Sequence, residues 1–115
     1  MGRLGPVAAA LGALAVAMGA FGAHALQPYF TTDQIDTWNT ASHYLIIHVL
    51  AALLCVALGA SRVGWGFVLG AILFSGSLYG YLLSGLRPLV FVTPLGGVVM
   101  VLSWLWLGVT LWKKD

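Results

Sequence analysis

A chain of 115 residues that is 61% hydrophobic and 7% charged, with a mean hydropathy of +0.99, cannot bury its apolar surface as a soluble domain of that length. Its five basic and three acidic residues leave a net charge of +2, which needs no acidic partner and gives nucleic-acid binding no support. The composition is that of an integral membrane protein.

At 1.5 Å rise per residue, a helix needs about 20 residues to cross the hydrocarbon core. Four apolar windows meet that length, at residues 4–26, 40–60, 65–85 and 94–112. They predict an all-α, four-helix transmembrane bundle that takes up residues 1–115 as one domain.

The first window follows Arg3 and ends near Ala23-His24-Ala25, a small-x-small pattern that also fits a signal cleavage site. Its apolar run is longer than a signal core and carries Gly12, Gly19 and Gly22, which favours a retained helix over a cleaved signal. Ala8, Gly12, Ala15, Gly19 and Gly22 recur at offsets of three and four, on one face. Lipid supplies no hydrophobic drive between helices, so such small faces read as packing seams.

The next loop is the most polar part of the chain. Thr31 and Gln34 have capping-box spacing and Asp33 suits the positive end of a helix, so the second helix is predicted to begin near Thr32, outside the membrane. Asp33 and Asp36 share a face of that extension and read as solvated carboxylates, with a metal site as the sharper alternative. The single cysteine, Cys55, can form neither an internal disulfide nor a CxxC pair. That excludes a quinone-linked disulfide enzyme and leaves a packing residue.

In the third window Gly66, Gly70, Ser77 and Ser84 make a small stripe, and Gly76-x-x-x-Gly80 offers a second face for close approach. Beyond it, Arg87 precedes Leu89-Val90-Phe91-Val92, expected in the interface or over the end of the bundle. Thr93-Pro94 reads as an N-cap with proline at the first helical position, which starts the fourth helix there. Gly96, Ser103 and Thr110 repeat every seven residues along it. Small faces on several helices exceed the needs of one bundle and suggest a homo-oligomer.

Arg3, Arg62, Lys113 and Lys114 fall on one side of this arrangement and Arg87 on the other, so both termini are expected in the cytoplasm. Trp65 and Trp112 would mark the inner interface, and Tyr29, Phe30 and Trp38 the outer one. Arg87 is expected to meet Asp33 or Asp36 in a weak exposed pair.

Polar groups within the hydrocarbon need partners. His48 lies well inside the second window with Tyr44 one turn before it, and Ser75, Ser77 and Tyr79 lie at comparable depth on the third. With His24 nearer the outer end, these six form a candidate polar intramembrane layer, and His48 is expected to hydrogen-bond across the second and third helices. His43 lies about 140° around the helix from His48, which keeps the two from one ligand. Zinc-type pairs such as H-x-x-x-H are absent and His24 and His48 differ in depth, so no metal, haem or other cofactor is expected.

Gly19-Ala-Phe-Gly-Ala-His24, Trp38-x-Thr40-x-x-x-Tyr44-x-x-x-His48, Leu73-Phe-Ser-Gly-Ser-Leu-Tyr79 and Thr93-Pro-Leu-Gly-Gly97 occur in that order over nearly the whole chain. Together they resemble the signatures of the YgdD/YwdK family, small four-span proteins of the bacterial inner membrane that carry a domain of unknown function. The resemblance implies a multi-pass inner (plasma) membrane protein with no assigned enzymatic activity. It directs attention to His24, Tyr44, His48, Ser75, Gly76, Ser77, Tyr79, Thr93, Pro94, Gly96 and Gly97. His43 departs from the family pattern, which has Gln or Glu there.

Three kinds of function fit these residues. The first is a structural or accessory protein that binds membrane lipid or an unidentified protein partner and is not an enzyme. The second is a small transporter or channel using the His/Tyr/Ser layer; no acid lies within a span, which disfavours carboxylate-coupled drug export and leaves a His-based relay or a passive pore. The third is a surface enzyme using His24 with Asp33 or Asp36, which suffers because Ser75 and Ser77 lie too deep to serve as its nucleophile.

Overall fold

The computed structural model describes residues 2–114, which form four rods long and apolar enough to cross a bilayer. The elements are α1 (Leu4–His24), α2 (Thr32–Leu58), α3 (Ser61–Ala71), a π-helical turn (Ile72–Gly76), α4 (Ser77–Ser84), a 3-10 turn (Arg87–Phe91) and α5 (Val92–Lys114). Among the described residues there is no strand. The third rod is α3, the π turn and α4 in continuous series.

Local chemistry explains most boundaries. The capping box at α2 is complete: the Gln34 amide donates to Thr31 Oγ1 at 3.1 Å, and the Thr31 amide donates to Gln34 Oε1 at 2.9 Å. At its other end Gly59 adopts φ 71°, and the amides of Gly59 and Ala60 donate to the carbonyls of Val56 and Cys55. The chain is thereby turned within two residues, so α3 starts at Ser61, ahead of the expected residue 65.

The expected cap of the fourth helix is corrected. The 3-10 turn runs directly into α5 at Val92, whose φ −77° and ψ −31° are already helical. Thr93 therefore lies inside the helix, with its hydroxyl 2.5 Å from Ser77 Oγ. Pro94 is still in the first turn, where an amide has no intrahelical partner to lose.

Each rod packs on the next in sequence, with α2 and the third rod central, α1 flanking α2, and α5 flanking α3 and the π turn. The result is elongated, 51 × 25 × 20 Å. Its core holds Leu4, Trp38, Val49, Cys55 and Phe67, each at most 1% exposed. Leu4 fits against Gly64, and the Lys114 ammonium donates to the Leu58 carbonyl. These contacts gather Arg3, Arg62, Lys113 and Lys114 at one end. The 3-10 turn with Arg87 packs on α4 and α5, away from the start of α2, and the expected pairing with Asp33 or Asp36 does not form.

Candidate functional site

The six residues of the expected polar layer do not form one layer. They separate into local contacts: Tyr79 and Ser75 join the third rod to α2, Ser77 joins it to α5, and His48, next to Tyr44, meets α5. Tyr79 Oη lies 2.6 Å from Ser42 Oγ, which itself donates to the Trp38 carbonyl at 3.1 Å. A hydroxyl has one proton, so Tyr79 is the donor to Ser42. Ser75 Oγ donates to the Ala41 carbonyl at 2.6 Å, joining the π turn to α2. Ser77 Oγ donates to the Phe74 carbonyl at 2.9 Å, which makes Thr93 the donor to Ser77. His24 is exposed at the end of α1 and has no side-chain hydrogen bond among the described residues.

His48 is 4% exposed and does bond across helices, but to the fourth rod instead of the third. Trp104 Nε1–H donates to His48 Nε2 at 3.1 Å, while His48 Nδ1 lies 2.7 Å from the Tyr44 carbonyl one turn back on α2. An indole N–H can only donate and a carbonyl can only accept. The two partners therefore define a neutral imidazole with its proton on Nδ1.

Aromatic rings surround this bond. Tyr44 stacks on His48 at 6.0 Å and 8°, Phe74 meets Tyr44 at 4.9 Å, and Phe67 meets Trp104 edge-on at 4.7 Å. Outward from His48 a groove of about 620 Å³ opens sideways between α2 and α5, with Tyr44, Phe74, Val98, Val101 and Trp104 on its walls. Its flanks are exposed, Tyr44 at 41% and Trp104 at 43%. His48 forms the floor.

A second cluster lies toward the loop that joins α1 to α2. Trp38, assigned from sequence to the membrane interface, is instead fully buried, and its Nε1–H donates to the Met18 carbonyl on α1 at 2.6 Å. The indole reaches that carbonyl because Gly22 has no side chain: a Cβ there would overlap the ring. Tyr79 completes the cluster, its ring 4.6 Å from that of Trp38.

The glycines differ in role. A Cβ on Gly96 would stand 2.7 Å from Phe74 Cα, so this glycine lets α5 touch the backbone of the π turn. A Cβ on Gly80 would meet Leu89 at 3.0 Å, where the 3-10 turn folds over α4. Gly19 and Gly97 have only loose neighbours, at 3.9 and 4.0 Å. Gly76 is exposed with nothing within 4 Å, so Gly76-x-x-x-Gly80 is not a close-approach face within this chain.

Sequence reasoning missed Ser42 and Trp104. Ser42 sits one turn after Trp38, a spacing that allows its bond to the Trp38 carbonyl. Trp104 falls in an apolar run from which an indole cannot be told apart as a hydrogen-bond donor. Among the described residues no group of three or more His, Cys, Asp or Glu side chains is placed to hold a metal ion.

The family profile described as "Protein of unknown function (DUF423)" matches residues 18–97, which hold the Trp38 cluster, the π turn and the start of α5. Among similar proteins, the UPF0382 inner membrane protein YgdD of Escherichia coli K12 is 41% identical, covering 84% of this chain and 79% of its own. The UPF0382 membrane protein YwdK of Bacillus subtilis is 38% identical over 80% of this chain and 81% of its own. A UPF0382 membrane protein of Staphylococcus aureus is 35% identical over 87% of both. No solved structure matches the chain significantly. With four membrane-length helices and these relatives, the chain belongs to the DUF423 family and is a multi-pass integral membrane protein.

Proposed function

We propose that this protein is a non-enzymatic accessory protein of the membrane that accepts a lipid tail in the lateral groove between α2 and α5. The observation that carries the reading is the groove's shape and lining. It opens sideways toward the hydrocarbon, and its walls are aliphatic and aromatic side chains. Its one deeply buried polar residue, His48, has both ring nitrogens bonded. An occupant needs to match shape alone, which an acyl chain does.

A transport path gains less support. The polar pairs Ser42–Tyr79, Ser77–Thr93 and His48–Trp104 sit in separate helix contacts, and among the described residues no buried side-chain N or O lacks a partner. A proton added to His48 Nε2 would face the Trp104 N–H, donor against donor, so a relay would have to break the bond first. The gathering of Arg3, Arg62, Lys113 and Lys114 at one end supports cytoplasmic termini.

The test is native mass spectrometry of the full chain released from lipid nanodiscs, comparing wild type with Gly97→Leu. Gly97 borders the groove, so leucine there fills it. The expected result is a bound phospholipid in wild type that Gly97→Leu loses. Equal lipid retention by both, or proton flux through vesicles that His48→Ala abolishes, would overturn the reading.

A further inference from the structure

On the side of α2 away from the His48 groove, a smaller lateral groove of about 290 Å³ lies between α1 and α2. Ala15, Val16 and Gly19 line it from α1, and Asn39, Ser42, His43 and Ile46 from α2. Asn39 and His43, one turn apart, are exposed along it, and neither side chain has a hydrogen-bond partner among the described residues. Ser42, between them in sequence, is already engaged by Tyr79 and the Trp38 carbonyl.

The depth of His43 makes its exposure costly, while Asn39, one turn outward, lies at the edge of the span. α1 has 21 residues, about 30 Å of helix, which is the thickness of the hydrocarbon core. Gly19 faces Ser42 across the groove, so His43 lies near the level of Gly19, about 7 Å inward from the end of α1. A polar ring at that depth, facing lipid tails, has no donor or acceptor to replace water.

We infer that this face is covered by a second copy of the same chain in a two-fold dimer. The choice of occupant rests on electrostatic complementarity. An Asn amide and a neutral imidazole each carry both a donor and an acceptor. A patch of that kind is complementary to itself, and a two-fold axis brings each group against a partner of the required polarity on the other copy. Lipid tails offer neither. The α1 side of the groove is open at Gly19, which has no side chain and leaves room for the second copy's backbone, while Ala15 beneath it is buried in this chain's own core.

This dimer is independent of the lipid groove on the opposite side of α2. The experiment places single cysteines in a Cys55→Ala background of the full chain in native membranes, at Val16→Cys, Ile46→Cys and, as the control, Leu102→Cys. Oxidative cross-linking is expected to give dimers from Val16→Cys or Ile46→Cys and none from Leu102→Cys. In bilayers of graded protein-to-lipid ratio, fluorescence transfer between labelled copies should report a dimer that Asn39→Leu and His43→Leu each weaken by about threefold.

Gly19→Leu should weaken it by about tenfold or more while leaving the fold intact, because a side chain there meets open groove and not backbone. Three results would overturn the inference. One is a monomeric wild type at every lipid ratio. Another is a dimer that cross-links through Leu102→Cys alone. The third is a monomer that retains a lipid headgroup lost on Asn39→Leu and His43→Leu, which would give the face to lipid.

Discussion

Trp38 and Trp104 both spend an indole N–H on a contact between helices, and the two sites have opposite characters. Trp38 is fully buried and bonds to a main-chain carbonyl that cannot move without its helix. Trp104 is 43% exposed and bonds to a side chain at the floor of an open groove. The first arrangement fastens α1 to α2 and stacks the third rod on the join. The second stands on the open wall of a groove. Within one small bundle, the surroundings of each indole separate a closed joint from one beside an open groove.

The comparison can be broken most severely at the closed joint. Trp38→Ala is expected to cost about 3–5 kcal/mol, the range for removing a buried aromatic, and Gly22→Leu should expel the same ring. Reversible unfolding in mixed micelles would measure both; a loss below 1 kcal/mol for Trp38→Ala would remove the distinction between the two tryptophans. Gly96→Leu, which forces α5 off the π turn, should cost about 1–3 kcal/mol and widen the groove, read as increased quenching of tryptophan fluorescence by brominated lipid.

Tyr79→Phe deletes one hydrogen bond and should cost about 1 kcal/mol in the same assay. Trp104→Phe should cost less, about 0.6 kcal/mol, the average for a polar contact between membrane helices. Its sharper readout is nitrogen NMR of His48, where the wild type is expected to carry its proton on Nδ1 alone. A proton on Nε2 in the wild type would refute the bond from Trp104. Lys114→Met, removing the ammonium from the end of α2, should cost at most about 0.5 kcal/mol, detectable only at low salt.

The parts legible in sequence were those with a one-dimensional signature. Span lengths follow from runs of apolar residues, and the start of α2 follows from Thr31 and Gln34, whose bonds stay within one turn. The seam of α1 was legible at Gly22, since small residues at offsets of three and four have one face to share. What failed depended on relations between rods. Thr93 has the form of a cap, but Ser77 across the contact takes its hydroxyl. Trp38 has the form of an interface anchor, but Gly22 on another helix opens a slot for it. His48 does find a partner across helices, but on the fourth rod instead of the third, because an indole donor within an apolar run looks apolar in sequence.

The π turn at Ile72–Gly76 acts as a phase shifter in the third rod. One extra residue in a helical turn advances everything after it by about 100° around the axis. Below it, α3 presents Phe67 and Gly70 to its neighbours; above it, α4 presents Ser77 to α5 and Tyr79 to α2. Removing a single residue from that segment would return the rod to a uniform helix. The lower half would keep its contacts, and the upper half would turn Tyr79 and Ser77 away from Ser42 and Thr93 together.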